Sequence, residues 1–285
     1  METLPALGAE TVSALRIHAG EGSSVEDLLV AEGALQIRVN GAAYSVTMRT
    51  PGDDVMLAVG LLFTEGTIRT RQEILAWEEI PAAVEGEADT VDLAVADAAL
   101  AGGKLSERRL LSNASCGVCG KVSADDLQAP SRLAPEALLT RLDLGLLPSL
   151  EGRMRSAQAL FSRTGGCHAA ALFDLHGNLL VLKEDVGRHN AVDKAVGHLL
   201  LLGLPGKPAL LFISGRVSYE IVTKASKAGI PFLLAVSAPS SLAVKLCREA
   251  GVTLLAFVRG GKATVYTNPE RVYWNAEGAS ALRPE

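Results

Sequence analysis

A two-domain α/β protein is the fold class this sequence predicts, and three observations predict it. The chain has 285 residues, 48% of them apolar, which is enough for one large or two ordinary domains with a full core. From about residue 167 onward short apolar runs alternate with helical spacings, the pattern of right-handed βαβ crossovers, a largely parallel sheet and a layered α/β/α sandwich. Earlier segments are more mixed, as in a smaller α+β unit carrying a cysteine loop. The division falls near residue 148, with an N-terminal portion at 1–148 and a C-terminal portion at 149–285.

Taken in order, residues 1–33 carry no clear pattern. ALQIRVNGAAYSVTMRT (34–50) reads as two strands around Asn40-Gly41, a strong hairpin signal. PGDDVMLAVGLLFTEG (51–66) is a helix: Pro51 lies near its start, the aspartates suit the positive end of the dipole, and Gly66 stops it. TVDLAV (90–95) is a strand, and SERRLLS (106–112) leads into two cysteines. Residues 133–161 are helical and loop-rich and read as a bridge. CHAAALFDLHGNLLVLKED (167–185) is a hairpin turning at His176-Gly177-Asn178, and GRHNAVDKAVGHLLLLG (187–203) has helical spacing. Then follow a strand at 209–214, a helix after Gly215, a strand in IPFLLAVSA (230–238), a helix in SSLAVKLCREAG (240–251) and a strand in VTLLAFV (252–258). Strands this apolar are buried on both faces.

The net charge of −5, without a long basic run, argues against nucleic acid or an anionic membrane as a general partner. It leaves room for a local basic pocket holding a phosphate-bearing ligand. No run reaches the roughly 18 apolar residues of a membrane span, and METLPALGAETV lacks the features of a secretory signal. The four cysteines, Cys116, Cys119, Cys167 and Cys247, do not make a disulfide framework in a chain this long. They fit a reducing cytoplasm, where a CxxC binds metal or does chemistry.

SNASCGVCGK (112–121) admits three roles. Structural zinc requires four ligands, yet there is one CxxC and no H-x₃₋₅-H, and the adjacent Cys167 and His168 are poorly placed to share one ion. Zinc deaminases need H-x-E and P-C-x-x-C; Ser115 precedes this pair, and neither His168 nor His189 is followed by the required glutamate. A thioredoxin-like dithiol needs a long helix after the pair, whereas GKVSADDLQAPS breaks up quickly. A sulfur carrier needs a thiolate on a slim loop: Gly117 and Gly120 keep the loop narrow, and Lys121, Arg108 and Arg109 would favour the thiolate.

Three further stretches each support two readings. In FVRGGK (257–262) a strand is followed by Gly260-Gly261, which allow close backbone approach, with Arg259 and Lys262 able to pair with phosphates; a plain strand-to-strand turn has the same composition. Ser214-Gly215-Arg216 ends a strand where a helix begins, so it either holds a phosphate or nucleotide oxygen, or Ser214 simply caps the helix. EDVGRHNAVDK (184–194) either lines a pocket, with His189 and Lys194 assisting proton transfer, or is a capped helix with exposed i,i+4 pairs. His168 is a candidate for the same pocket or a structural histidine. Cys247 reads as a core residue, His176 as part of a turn, and no chemistry is assigned to Cys167.

SCGVCG, MRTPGDD (48–54), FTEG (63–66), TGGCH (164–168), EDVGRHNAVDK, SGRVS (214–218) and SAPSSLAV (237–244), in this order, resemble the FdhD/NarQ family of sulfur-carrier accessory proteins of formate dehydrogenase. The resemblance runs from about residue 34 to the last strand. It implies a sulfurtransferase that accepts sulfur from a cysteine desulfurase (IscS-type) as a persulfide on Cys116, with Cys119 as relay or resolving thiol. The acceptor would be molybdenum bis(molybdopterin guanine dinucleotide), before its insertion into formate dehydrogenase. The resemblance also implies cofactor contacts at Phe257, Val258, Arg259, Gly260, Gly261 and Lys262, to which the residue-level reading adds Ser214, Gly215, Arg216 and His189. It further implies a homodimer and a C-terminal cytidine deaminase-like fold without its zinc residues. The alternative from another class is a non-catalytic chaperone that binds the cofactor while the CxxC only docks or stabilises.

Overall fold

The computed structural model describes residues 8–84, 86–100, 130–204 and 206–274. The chain is a mixed α/β protein. It opens with a two-stranded antiparallel ribbon, β1 (Ala9–His18) and β2 (Glu21–Val30), that is exposed along most of its length. Then come β3 (Gly33–Val39) and β4 (Ala42–Arg49), joined at Asn40 (φ 50°) and Gly41 (φ 77°). Two successive positive φ values are what a type I′ turn demands, and Asn-Gly supplies them at low cost. The Asn40 side chain also bonds the backbone N–H and C=O of Val95, tying the turn to a third strand.

Helix α1 (Asp54–Thr64) follows, entered through Asp53 in the left-handed region and closed by Gly66 (φ 78°), where the sequence placed its stop. β5 (Ile74–Ile80) and β6 (Asp89–Val95) complete a four-stranded sheet ordered β4-β3-β6-β5, with β3 and β6 parallel. α1 covers one face of it through Leu57, Ala58 and Leu62. Arg49, 1% exposed, is forked between Asp54 and Asp89 at 2.6–2.9 Å, pinning the start of α1 to this sheet. A short helix α2 (Asp97–Leu100) ends the first described stretch.

The second stretch runs through α3 (Pro135–Leu138), β7 (Leu142–Asp143), α4 (Leu147–Ala157) and α5 (Ala159–Thr164). It continues with β8 (His168–Phe173), β9 (Leu179–Asp185) and α6 (Arg188–Leu202), then β10 (Leu210–Ile213) and α7 (Tyr219–Lys227). Last come β11 (Phe232–Ala235), α8 (Ser241–Ala250), β12 (Thr253–Arg259), β13 (Lys262–Val265) and β14 (Val272–Tyr273).

A six-stranded sheet is ordered β13-β12-β11-β10-β8-β9. Only β10, β11 and β12 are mutually parallel; β8, β9 and β13 run antiparallel to their neighbours. The sheet is therefore mixed rather than largely parallel. The reason was present in the chain, since a tight turn at His176-Gly177-Asn178 can join only antiparallel neighbours. Alternate strand residues face opposite ways. Leu172, Leu211, Leu233 and Leu254 pack under α6, α7 and α8, while Phe173, Phe212, Leu234 and Leu255 pack under α4. The 133–161 stretch is thus more than a bridge: Leu147, Leu150 and Met154 of α4 are core residues of the second face. Arg271, buried over the Phe232 ring, donates to the carbonyls of Ala137 and Gly251 and holds the last described turn against this body.

α1 and α6 cross at very short range. A Cβ built on Gly60 would lie 1.9 Å from the Asp193 carbonyl oxygen, and one on Gly197 would lie 1.8 Å from that of Met56. Glycine on both helices lets the backbones touch. Through this crossing the four-stranded sheet rests on the helical layer of the six-stranded one.

Candidate functional site

The parallel strands β10, β11 and β12 all end at one edge of the large sheet. Their exit loops are laced together: Val236 N–H donates to Ile213 O, Val217 N–H to Ala238 O, Ser240 N–H to Val217 O, and Phe257 N–H to Ser237 O. The antiparallel pair β8/β9 brings His168 and Asp185 to the same edge, facing each other in register. α6, α7 and α8 therefore all begin here; α8 is capped by the Ser240 hydroxyl, whereas α6 and α7 have no side-chain cap, and the three dipoles make the edge receptive to anions. The crevice outside the carboxyl ends of parallel strands is also where open α/β sheets bind ligands.

Ser214-Gly215-Arg216 lies in this crevice, but Ser214 does not cap a helix. Its Oγ accepts from Ala169 N–H at 2.9 Å and lies 3.4 Å from His168 Nδ1, while α7 starts five residues later behind Ser218. Gly215 is closely packed: a Cβ there would sit 3.3 Å from Arg188 Cβ and Cδ and 3.4 Å from His168 Nδ1, tight contacts that the neighbours would have to ease. Arg188 thus lies across the turn, and its buried Nε has no hydrogen-bond partner among the described residues. Arg216 is exposed.

His189 is buried in the first turn of α6, with Nε2 3.1 Å from Ser218 Oγ. Burial, then the positive charges of Lys224 and Arg188, push its imidazole down to about 3, so it is neutral at physiological pH. Ser218 gives no side-chain cap to α7; its hydroxyl donates instead to Glu220 Oε2 at 2.8 Å. Sequence reasoning missed Glu220, because an acid in the first turn of a helix is routine in any protein. The signal that was available is the spacing Ser-x-Glu at a strand-to-helix junction.

FVRGGK divides between two surroundings. Phe257, exposed and at φ 55°, forms a bulge that reaches the crevice through Ser237. Val258 is buried under α4, so its backbone alone is available to a ligand. Gly260 and Gly261, both at positive φ, make the β12–β13 turn, and Gly260 N–H donates to Glu151 of α4 at 2.7 Å. The strand-to-strand geometry is the one observed, with Arg259 and Lys262 exposed on either side of it.

EDVGRHNAVDK is neither a simple pocket lining nor an exposed ion-pair face. Asp185 Oδ2 accepts Thr50 N–H and pairs with Lys194 Nζ at 2.8 Å, while Lys194 also donates to Thr50 O at 2.7 Å. Asn190 donates to Met48 O and to Asp185. One turn on, Asp193 takes Thr64 Oγ1 and Lys224 Nζ. These buried groups bind MRTPGDD and FTEG to α6, and Lys194 is committed to them. A separate cleft of about 300 Å³ lies beside this seam, lined by Pro51, Gly52, Leu182 and Glu184; its cations Lys183 and Lys194 are already paired with Asp53 and Asp185.

Cys247 is fully buried on α8, as expected, and Cys167 donates to Glu184 at 3.4 Å; burial pushes both thiols up to about 12. Cys116 and Cys119, with Lys121, Arg108 and Arg109, lie outside the described residues. No helix among the described residues is long and apolar enough to cross a membrane.

The sequence model of the FdhD/NarQ family matches residues 30–273. The chain belongs to the FdhD/NarQ family. Within it, the chain is 45% identical over 270 residues to a protein of Streptomyces avermitilis named sulfur carrier protein FdhD, covering 93% of this chain and 96% of that one. A protein of the same name from Sulfolobus acidocaldarius is 40% identical over 262 residues, covering 90% and 96%. Among solved structures, a protein of Desulfotalea psychrophila described as a formate dehydrogenase accessory protein superposes with a TM-score of 0.73 at 25% identity, covering 93% of this chain and 99% of that one. The strings that pointed to FdhD/NarQ are largely those that build the seam and the strand-end crevice.

Proposed function

We propose that this protein is a sulfur carrier for formate dehydrogenase that moves sulfur from a cysteine desulfurase to molybdenum bis(molybdopterin guanine dinucleotide). The observation that carries the reading is the strand-end crevice, with three helix N-termini, Arg188 and a neutral His189, in a chain 45% identical to named sulfur carriers. A crevice of that kind suits a phosphate-bearing ligand that is the cargo of the reaction. Ser214, Gly215, Arg216, His189 and the 257–262 segment are the residues we assign to it.

In this reading the Cys116 thiolate attacks the outer sulfur of the desulfurase persulfide, leaving a persulfide on Cys116 and a thiolate on the donor. Attack by the Cys119 thiolate on Cys116 Sγ then forms the Cys116–Cys119 disulfide and expels hydrosulfide, the species delivered to the metal. An external dithiol must reduce that disulfide before another cycle. The same reading takes the helix-covered six-stranded sheet as the cytidine deaminase-like domain, the cysteine segment as part of the N-terminal portion, and the carrier as a cytoplasmic homodimer.

Mass spectrometry after incubation with a desulfurase and cysteine tests it. An adduct one sulfur atom heavier on Cys116 or Cys119, absent in Cys116→Ala, is expected. No adduct in a protein that still binds guanine nucleotide would instead identify the non-catalytic chaperone.

A further inference from the structure

Glu220 is 9% exposed, and its carboxylate is used on one side only. Oε2 accepts the Ser218 hydroxyl at 2.8 Å and lies 3.5 Å from His189 Nε2, whereas Oε1 is buried without a partner among the described residues. The cation one turn further on does not reach it, because Lys224 gives its ammonium to both Asp193 oxygens and to Thr64. A buried carboxylate oxygen without a donor is costly, and a residue needed only to fix Ser218 would not require that second oxygen to be buried. On the neighbouring helix Arg188 Nε is the converse, a buried donor with no acceptor among the described residues. One orphan acceptor and one orphan donor, on the first turns of adjacent helices at the strand-end crevice, define a ligand that offers N–H groups to one and an oxygen to the other.

We propose that Glu220 is the base-reading residue of this crevice, accepting the imino and amino hydrogens of guanine, with Arg188 donating to an oxygen of the same nucleotide. The inference rests on the crevice being the nucleotide site. Guanine presents two adjacent donors, N1–H and the 2-amino group, to a carboxylate; adenine presents a lone pair at N1, which faces the carboxylate oxygens in repulsion. Oε2 keeps a second lone pair after accepting from Ser218, so both oxygens serve.

The test is calorimetric titration of the full chain with GDP and with ADP. The wild-type protein is expected to prefer GDP by at least about 10-fold, the scale of a charged hydrogen bond. Glu220→Gln retains size and a partner for Ser218 but turns an NH₂ toward the base, and should cut the preference to within about 3-fold, by weakening GDP binding and relieving the repulsion of ADP. A preference that survives Glu220→Gln, with thermal melting confirming the fold, overturns the assignment. Should that variant not fold, wild-type affinity for inosine diphosphate decides instead: weaker binding than GDP supports two-donor reading, and equal affinity overturns it. Binding of none of these nucleotides by the wild type means the crevice is not the nucleotide site; the functional reading above is then what fails, and this inference falls with it.

Discussion

Replacing Gly60 by alanine should be one of the most damaging single-methyl additions in the chain. Intrinsic helix propensity favours the change by about 1 kcal/mol. Against that, the new Cβ would lie 1.9 Å from the Asp193 carbonyl oxygen, where ordinary contact begins near 3.4 Å. The obstacle is backbone on a packed helix, which cannot rotate aside, so α1 and α6 must separate by up to about 1.5 Å, the difference between those distances. Separation loosens the Leu57–Leu62 face from its neighbours and stretches the 2.9 Å bond between Thr64 and Asp193. Overpacking of this kind costs about 1–3 kcal/mol and more when backbone moves; with the lost hydrogen bond, a net destabilisation of roughly 2–4 kcal/mol follows. For a chain of 285 residues that lowers Tm by roughly 3–7 °C. Gly152 in α4 is the control, since nothing lies within 4 Å of a Cβ there, and Gly152→Ala should raise stability by about 0.5–1 kcal/mol. Thermal melts of both variants, followed by circular dichroism, give the comparison. A Gly60→Ala protein that melts at or above wild type would refute the close crossing.

Lys194→Met should lower stability by about 3–5 kcal/mol, because Asp185 is left buried without its cation; an unchanged melting temperature would show Lys194 free for proton transfer instead. Stability should fall as pH drops from 6.5 toward 3, because unfolded His189 binds a proton throughout that window while the folded imidazole, held down to about 3, does not. The slope contributed is up to about 1.4 kcal/mol per pH unit, and His189→Gln should flatten it in denaturant titrations at stepped pH. His168 is depressed by burial and by Arg188, so it acts in the same direction. Native alkylation at pH 8 should leave Cys167 and Cys247 unlabelled, since thiols raised to about 12 carry almost no thiolate; rapid labelling of either would contradict their packing.

Local chemistry made much of this fold legible. Asn40-Gly41, Gly66 and His176-Gly177-Asn178 mark turns whose φ values few other residues adopt, and each falls where the structure turns. The strand–helix alternation of 209–258 needs only burial on both faces to be read. The β1–β2 ribbon escaped because its two faces are both exposed, leaving no apolar alternation to detect. β5 escaped for a related reason: as an edge strand it mixes Trp77 and Ile80 with Glu78 and Glu79, and only Ile74 is buried. In EDVGRHNAVDK the polar residues were visible but their burial was not, since it depends on Met48, Thr50 and Thr64, more than a hundred residues away along the chain.

That dependence gives the motif a different meaning from the one its composition suggests. A dense polar string invites the view that every member touches a ligand, yet Asp185, Asn190, Asp193 and Lys194 spend their hydrogen bonds on the protein itself. Their effect is to fix the first turn of α6 against the MRTPGDD turn, which leaves Arg188 and His189, in the middle of the same string, facing the strand-end crevice. The seam and the crevice are therefore one mechanical unit. A substitution at Thr50 or Asp193, neither of which needs to contact ligand, should shift the position of Arg188 and weaken anion binding, whereas a substitution at exposed Arg216 should act on binding alone and leave the melting temperature unmoved.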